Sequence, residues 1–345
     1  GLLKRVFHAE DGLTMALSGT GSAGMEAGLT SLLEPDDTVV LCVCGFFGER
    51  MVEMAGRVGA NVVALRGEWG HPFPAGMLEA ELKKHSRVKL VTVIHAETST
   101  GVITPLPEIA ELVHRHDALL IVDAVTSLGG HEVQMDKWDL DICYSATQKC
   151  LGAPPGLAPI SFGPRAMDVI NTRESKVQSF YFNLKDLQQY WNETRAYHHT
   201  SPINMTYALR EALRMMMEEG LENRIQRHAR VAAGLRAGVE ALGLSLLAEE
   251  GHRLNPLTTL SIPDGVEDAK VRGALLNDYD IEIGGGLGEF AGKAWRIGLM
   301  GESAREKNVF AVLSALESIL AKEGYEVAFG ASLSAAQRTI ATFGE

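Results

Sequence analysis

Several features that would assign the sequence to a particular class of protein are missing from it. No run of about eighteen apolar residues is present, so we expect no transmembrane helix. The sequence shows no secretory signal, and its last three residues, Phe343-Gly344-Glu345, do not form a peroxisomal address. Acidic residues outnumber basic ones, and the resulting net charge of -12 would repel a phosphate backbone. We therefore expect a cytoplasmic protein with no nucleic-acid partner and no membrane partner.

Cysteine is also rare, and its pattern excludes a disulfide framework. The sequence contains four cysteines and no metal-like C-x-x-C spacing. Cys42 and Cys44 lie two residues apart in an apolar run, which would put both on one face of a buried strand. We expect all four cysteines, Cys42, Cys44, Cys143 and Cys150, to be buried and reduced. This expectation favours a reducing compartment.

What is present indicates an α/β protein with more than one domain. A chain of 345 residues is too long for one compact core. Up to residue 203, short apolar runs alternate with helical patterns, which predicts βαβ units and a mostly parallel sheet covered on both faces. Strands are predicted at 38–43, 61–65, 90–95 and 118–123, and helices at 48–58, 78–85 and 106–116. In the helix 48–58 the charged residues Glu49, Arg50, Glu53 and Arg57 are expected to face outward. Ligands of such sheets bind at the carboxyl ends of the strands.

The pattern changes after residue 203. A nearly continuous helix is predicted from 203 to 242, broken around Gly220. Beyond it, strands are predicted at 257–262, 281–283 and 294–299, and helices at 269–276 and 306–322. We place a domain boundary near residue 222, giving a large domain of residues 1–222 and a small domain of residues 223–345. Residues 1–7 look like the end of an amphipathic helix, and we expect the residues that normally precede them to be missing.

Asp123 is the first candidate functional residue. It ends the apolar run Leu119-Leu120-Ile121-Val122 and is followed by Ala124-Val125-Thr126-Ser127. A carboxylate at the exit of a buried strand is unfavourable unless a positive group meets it. Asp123 could therefore pair with a cation, or it could simply cap a helix.

Lys149 is the second candidate. It follows Ile142-Cys143-Tyr144 and precedes a turn rich in glycine and proline, 26 residues after Asp123 (149 - 123 = 26). Small residues flank it, so little side chain would cover its amine. A lysine next to another cationic group can have a lowered pKa and become nucleophilic. The alternative is an ordinary surface lysine.

A third element is the segment Ser18-Gly19-Thr20-Gly21-Ser22-Ala23-Gly24, which opens a predicted helix running to Leu33. Free backbone N–H groups and the helix dipole at such an end favour a phosphate group. The segment does not match the nucleotide-binding pattern G-x-x-x-x-G-K-[ST]. By itself it is a weak indication of phosphate binding.

Together the three elements supply what pyridoxal 5'-phosphate requires: a phosphate cradle, a carboxylate for the pyridinium nitrogen and a lysine for a Schiff base. The sequence resembles the class V branch of the fold-type I aminotransferases, and more narrowly the alanine/serine–glyoxylate aminotransferases. The resemblance covers nearly the whole chain and includes the segments 95–101, 197–200, 284–288 and 295–301. It implies a large domain with a mostly parallel, seven-stranded-type sheet between helices and a smaller C-terminal α+β domain. It also implies amino-acid and 2-oxo-acid substrates, and an N-terminal segment of several dozen residues that this sequence lacks.

The resemblance assigns cofactor roles to individual positions. Thr20, Gly21 and Ser22 would bind the phosphate, with Gln148 beside them. Phe47 would stack on the pyridine ring, although the family often has tryptophan there. Asp123 would keep the ring nitrogen protonated, and Lys149 would form the covalent link and move the substrate proton.

Four further roles follow from the same resemblance. Thr98 would hydrogen-bond the cofactor or the substrate, and Arg296 would hold the substrate carboxylate with two parallel bonds. Tyr197 and Thr200 would cross the interface of a homodimer to reach the neighbouring site. Metal binding is not expected, because His95 and Glu97 have no third ligand nearby.

Three alternatives remain open. Gln148-Lys149-Cys150-Leu151 and the tail 327–340 also fit a ureidoglycine–glyoxylate aminotransferase, but that enzyme tends to carry asparagine where Tyr197 stands and lacks the full run Gly284-Gly285-Gly286. A cysteine desulfurase would need a mobile nucleophilic cysteine and usually a ring-stacking histidine, which Phe47 argues against. A catalytically inactive member would serve only as a binding protein.

Overall fold

The computed structural model describes residues 1–344 and contains a seven-stranded sheet, which confirms the predicted large α/β domain. Its strands are β1 (Leu13–Ser18), β2 (Thr38–Val43), β3 (Asn61–Arg66), β4 (Leu90–Ile94), β7 (Leu119–Asp123), β8 (Ile142–Tyr144) and β9 (Leu157–Phe162). Two short strands, β5 (Ala96–Glu97) and β6 (Val102–Ile103), form a separate pair. The strand order is β1-β9-β8-β7-β4-β2-β3. The two pairings made by β9, with β1 and with β8, are antiparallel and the other four are parallel, so the sheet is mostly parallel as predicted.

Helices cover both faces of this sheet. They are α1 (Leu2–Phe7), α2 (Gly21–Leu32), α3 (Phe46–Arg57), α4 (Ala75–Leu82), α5 (Pro107–Arg115), α6 (Pro164–Thr172), α7 (Leu184–Trp191) and α8 (Ile203–Glu219). The residues of β4 show why the strands are apolar throughout. Val91 and Val93 pack into the cluster on one face, whereas Leu90 and Ile94 pack into the cluster on the other. Alternating side chains of a doubly covered strand are all buried, and this removes the polar alternation of an exposed strand.

The remaining elements lie C-terminal to Gly220. They are α9 (Leu221–Ala241), β10 (Leu257–Ser261), α10 (Asp268–Tyr279), β11 (Gly284–Gly285), β12 (Ala294–Gly298), α11 (Glu306–Lys322) and α12 (Ala331–Ala341). The three strands form an antiparallel sheet in the order β10-β12-β11. The break at Gly220 is confirmed, because its φ of 83° lies in the region that favours glycine.

One predicted strand is wrong. Residues 281–283 are not a strand, and the pairing with β12 begins at Gly284, opposite Arg296. The backbone N–H of Ile281 instead donates to Leu275 at the end of α10, so this segment still belongs to the exit of the helix. The prediction relied on apolar character alone and therefore set the start of the strand three residues too early.

We propose that the domain boundary lies near residue 222. Two hydrophobic clusters flank the large sheet, and a third cluster takes its buried members from residue 231 onward. Residues 209, 213 and 216 of α8 pack with the large sheet, whereas Val231 and Leu235 of α9 pack with the third cluster. This change of packing partner supports a boundary at the start of α9.

None of the helices in residues 1–344 combines the length and the apolar character that a membrane crossing requires.

Candidate active site

Most of the predicted cofactor residues meet in one cavity of about 260 Å³ at the carboxyl ends of the parallel strands. Eight residues singled out from the sequence line it: Thr20, Gly21, Ser22, Phe47, Thr98, Asp123, Gln148 and Lys149. Six others complete the lining: Met25, Arg50, Ile94, Ala96, Val125 and Thr126. The location follows the general rule that ligands of parallel sheets bind beyond the strand ends.

Asp123 is the last residue of β7, and both of its carboxylate oxygens are hydrogen-bonded. The backbone N–H of Val125 donates to Oδ1 at 2.8 Å, and the hydroxyl of Tyr144 donates to Oδ2 at 2.6 Å. Burial raises the pKa of Asp123 to about 6, although the bonds from Tyr144 and Val125 and the charges of Lys149 and Arg50 oppose this shift. A turn follows Asp123 and no helix begins there, so Asp123 does not cap a helix.

Lys149 lies in the turn after β8, and its side chain enters the same cavity. Its pKa is lowered, first by burial and then by the positive charge of Arg296, whereas Cys150 and Asp123 act in the opposite direction. The sequence predicted a lowered pKa from a nearby cation, but desolvation is the larger cause. A lower pKa favours the neutral amine that a nucleophile or a base needs.

Arg50 lines the cavity, so the prediction that it faces outward from its helix is wrong. Helix α3 begins at Phe46, two residues before the predicted start, so Arg50 follows Phe47 by three positions and shares its face. The Arg50 guanidinium lies 4.9 Å from the centre of the Phe47 ring. Its Nη1 donates to Oγ of Ser22 at 3.3 Å. This spacing was the available signal for the residue.

Glu97 binds the first turn of α3 by hydrogen bonds to its backbone. Its Oε2 accepts hydrogen bonds from the backbone N–H groups of Phe47 at 3.1 Å and Gly48 at 3.3 Å. Its Oε1 accepts from the backbone and hydroxyl of Ser99 at 3.0 and 2.7 Å. A Cβ at Gly45 would lie 2.3 Å from Cγ of Glu97, so this close approach requires glycine. Glu97 therefore orients the Phe47 segment.

His95 and Glu97 are both hydrogen-bonded to serine side chains. The Nδ1 of His95 is hydrogen-bonded to Oγ of Ser127 at 2.9 Å, and burial lowers the pKa of His95 well below its usual value. Within residues 1–344, no group of three or more His, Cys, Asp or Glu side chains is arranged to hold a metal ion.

Arg296 does not line the cavity, but it contacts a residue that does. It lies on β12, where Nε donates to the carbonyl of Gly285 at 2.7 Å and Nη1 donates to the carbonyl of Thr98 at 3.3 Å. The small sheet therefore reaches the edge of the site through Arg296. Its predicted role at a substrate carboxylate stays a prediction.

The structure does not bring Tyr197 and Thr200 into the cavity of their own chain. Tyr197 is 79% exposed, and its hydroxyl lies 3.3 Å from Oγ1 of Thr200. The neighbouring His199 is hydrogen-bonded through Nε2 to Oγ of Ser18 at 2.7 Å, two residues before Thr20. A role of the pair in a neighbouring subunit stays a prediction.

The donor set of the cavity fits pyridoxal 5'-phosphate. The side chain of Thr20 makes no capping bond to α2, so its hydroxyl is available at the helix start together with Ser22 and the cation of Arg50. A dianionic phosphate is bound by this combination of helix N–H groups, hydroxyls and guanidinium. Asp123 and Lys149 supply the carboxylate and the amine in the same cavity.

Comparison with known proteins gives consistent matches along nearly the whole chain. A family model described as aminotransferase class-V matches residues 2–291. The crystal structure of ureidoglycine–glyoxylate aminotransferase from Bacillus subtilis has a TM-score of 0.96 and 42% identity, covering 99% of this chain and 88% of that one. The crystal structure of alanine–glyoxylate aminotransferase from Nostoc sp. has a TM-score of 0.90 and 46% identity, covering 92% and 84%. Alanine–glyoxylate aminotransferase of Callithrix jacchus is 39% identical over 322 residues, or 92% of this chain and 78% of that protein.

Proposed function

Because the chain belongs to the class V aminotransferases, we propose that it transfers the amino group of alanine or serine to glyoxylate. The products would be glycine and pyruvate or hydroxypyruvate. The cofactor is pyridoxal 5'-phosphate, as in the family and its structural neighbours, and the activity is that of a transaminase. The observation that carries the proposal is the meeting of Lys149 and Asp123 in one cavity, next to Arg296.

Each residue has a defined task in this proposal. When bound, the cofactor supplies a ring that accepts electrons from the Cα–H bond of the amino acid. Asp123 holds a proton on the ring nitrogen by its negative charge. Lys149 would bind the cofactor covalently in the resting enzyme. Once the amino group of the substrate has displaced it, Lys149 would take the proton from Cα as a neutral amine. Arg296 orients the substrate by its carboxylate.

The arrangement implies a two-step exchange at one site. The donor leaves as an oxo acid before the acceptor enters, so ping-pong kinetics are expected. Glyoxylate as acceptor is supported by both relatives, since the Bacillus and the Nostoc proteins are both glyoxylate aminotransferases. The donor is the part of the proposal on which these relatives differ.

The second candidate is an (S)-ureidoglycine–glyoxylate aminotransferase. It is favoured by the match to the Bacillus subtilis enzyme, which is 41% identical over 97% of this chain. Against it stands Tyr197, because that group tends to carry asparagine at this position. A cysteine desulfurase is disfavoured, since the thiols of all four cysteines are buried.

We also propose a homodimer in which Tyr197 and Thr200 reach the neighbouring site. The exposed aromatic residues support this proposal, since Phe180 is 75% exposed and Tyr207 is 66% exposed on the same part of the chain. Apolar surface of this kind is typical of a contact between proteins. A two-fold dimer would bury the same patch on both subunits. Light scattering that detected an active monomer would contradict it.

The donor is tested by measuring kcat/KM for alanine, serine and ureidoglycine with glyoxylate as acceptor. The wild type and Tyr197→Asn are compared, with Tyr279→Asn as a control at an exposed position on α10. For an alanine or serine enzyme, Tyr197→Asn should chiefly weaken cofactor retention. A wild type that prefers ureidoglycine by about tenfold or more, on the order of 1.4 kcal/mol in transition-state binding, would establish the second candidate instead.

A further inference from the structure

Three side chains at the start of α9 contact the turns that follow Lys149 and Arg296. They are Arg224, Arg227 and His228, which share one face because they are spaced by three and four positions. Arg224 and His228 are almost completely buried, at 2% and 0% exposure. None of the three lines the cavity.

Arg224 binds the turn that carries Lys149. Its Nη2 donates to the backbone carbonyl of Cys150 at 3.1 Å, one residue after Lys149. The thiol of Cys150 in turn donates to the carbonyl of Thr126 at 3.2 Å, in the segment that follows Asp123. The backbone next to Lys149 is therefore held from two sides.

His228 and Arg227 bind the turn that follows the strand of Arg296. The backbone N–H of Gly301 donates to Nε2 of His228 at 3.0 Å, and Nδ1 of His228 donates to the carbonyl of Arg224 at 2.7 Å. This pattern requires the neutral imidazole, and burial lowers the pKa of His228 to about 4. Nη1 of Arg227 donates to the carbonyls of Gly301 at 3.1 Å and Ala304 at 2.6 Å.

The two turns also touch each other directly. A Cβ at Gly301 would lie 3.1 Å from Cα of Gly152, and the φ of Gly301 is 58°. Both the conformation and the close contact therefore favour glycine at residue 301. Gly152 ends the turn that begins at Lys149, because its N–H donates to the Lys149 carbonyl at 3.0 Å.

Burying the Arg224 guanidinium carries a desolvation cost that a purely structural contact would not require. It pairs with Glu219 at 2.7 Å and with Glu302 at 3.5 Å, but its Nε has no hydrogen-bond partner among the described residues. Burying a charge together with an unpaired N–H is unfavourable, and well-packed apolar residues often replace buried ion pairs without loss of stability. The position of the guanidinium between two functional turns offers a reason for its presence.

We propose that Arg224 is a positioning residue that fixes the Lys149 turn relative to the strand of Arg296. Its guanidinium binds the Cys150 carbonyl and pairs with Glu302 in the turn that begins at Gly301. His228, on the same helix, accepts the backbone N–H of Gly301. The amine that moves the substrate proton and the guanidinium that orients the substrate carboxylate are thereby kept at one separation. The inference rests on the proposed roles of Lys149 and Arg296.

The test compares Arg224→Met with a matched control, Arg214→Met. Both arginines lie in ion pairs on helices, but Arg214 is exposed on α8, where it pairs with Glu211 and Glu218. Three quantities are measured on the holoenzyme: Tm, the KM values for donor and glyoxylate, and the pH midpoint of the absorbance of the bound cofactor. The last one reports protonation of the Lys149 nitrogen and needs no turnover.

Arg224→Met should raise both KM values by about tenfold, because small misplacements of reacting groups are costly. It should also move the pH midpoint upward, since the positive charge of Arg296 would no longer be held near the Lys149 nitrogen. Arg214→Met should leave both quantities at their wild-type values. If Arg224→Met does not fold, Arg224→Lys decides, because it keeps the charge beside Glu219 but cannot bind both partners with one planar group.

A lowered Tm with wild-type KM values and a wild-type pH midpoint would overturn the inference, because Arg224 would then act on stability alone. An equal shift in Arg214→Met would overturn it as well. A wild type that binds the cofactor but transfers no amino group to glyoxylate would instead contradict the proposed function, and the spectral titration would still test the coupling.

Discussion

The hydroxyl of Tyr144 donates a 2.6 Å hydrogen bond to Oδ2 of Asp123, from the neighbouring strand of the sheet. Tyr144 is completely buried, and burial together with the negative charge of Asp123 raises the pKa of Tyr144 well above its usual value. The hydroxyl is therefore a permanent donor. It stabilises the ionised form of Asp123, which burial alone would disfavour.

Tyr144→Phe keeps the ring and removes this donor. We expect the pKa of Asp123 to rise further and kcat to fall on the order of tenfold, because a hydrogen bond to a charged group contributes about 1.5–3 kcal/mol. Steady-state kinetics measure the effect. The control is Tyr325→Phe, which removes a hydroxyl bonded to the carbonyl of Leu242 in the C-terminal region. Equal rates in wild type and Tyr144→Phe would remove Tyr144 from the site.

The second prediction concerns pH. Cofactor binding favours ionised Asp123, whose pKa in the empty protein is about 6, so affinity should fall as pH falls below that value. The phosphate group titrates in the same range, with a second pKa of about 6. Asp123→Asn retains the phosphate effect and lacks the carboxylate effect, so the difference between the two titrations isolates Asp123.

The same Asp123→Asn variant should lose activity on the order of a hundredfold or more, because the charge that holds the ring proton is gone. Stopped-flow or steady-state rates at neutral pH give this number. A variant with nearly wild-type kcat and an identical pH titration of binding would mean that Asp123 serves only the fold.

The third prediction concerns the covalent link. Borohydride reduction of the holoenzyme should fix the cofactor to Lys149, and peptide mapping should find the adduct in that segment. Lys149→Ala should still bind the cofactor without a covalent bond and should lose transamination almost entirely. Lys137→Ala serves as the control, because Lys137 is exposed and should not change the result. An adduct on any other lysine contradicts the assignment.

The fourth prediction concerns Arg50. Arg50→Met removes the hydrogen bond to Ser22 and the contact with the Phe47 ring while keeping most of the side-chain length. We expect the Kd for the cofactor to rise on the order of tenfold, since a guanidinium binds phosphate strongly. Arg57→Met on the same helix removes only an exposed pair with Glu53 and should have no effect. Equilibrium titration of the empty protein distinguishes the two variants.

The fifth prediction concerns Arg296. Arg296→Lys keeps the charge but loses the planar group that can hold a carboxylate with two parallel bonds. It should raise KM for alanine and glyoxylate together, because both would use the same contact. A change in KM for only one of the two substrates would show that Arg296 is not their common carboxylate site.

Much of the site could be predicted because its residues follow strands. Asp123 ends β7 and Lys149 follows β8, and these two strands are neighbours in the sheet. The separation of 26 residues (149 - 123 = 26) therefore brings the two side chains to the same edge. Thr20 and Ser22 open a helix, and this position is also readable from glycine and hydroxyl residues.

The missed residues depend on packing rather than on local pattern. No local pattern marks Tyr144 as a functional residue, because its bond to Asp123 depends on the register between β7 and β8. Arg50 was misplaced by an error of two residues in the start of α3. Arg224 lies 74 residues from Cys150 in the sequence, and no local pattern indicates that contact.

The position of β1 at the edge of the large sheet has a consequence for how the molecule is made. Its partner is β9, with Leu13 opposite Phe162 and Ser18 opposite Leu157. A growing chain therefore cannot pair β1 along its full length until residue 162 has been synthesised, and closing so long a loop carries an entropic penalty that slows pairing. The loop of Thr20 follows directly after β1. The phosphate cradle is thus encoded first and acquires its fixed position late, after Asp123 and Lys149 have already been made.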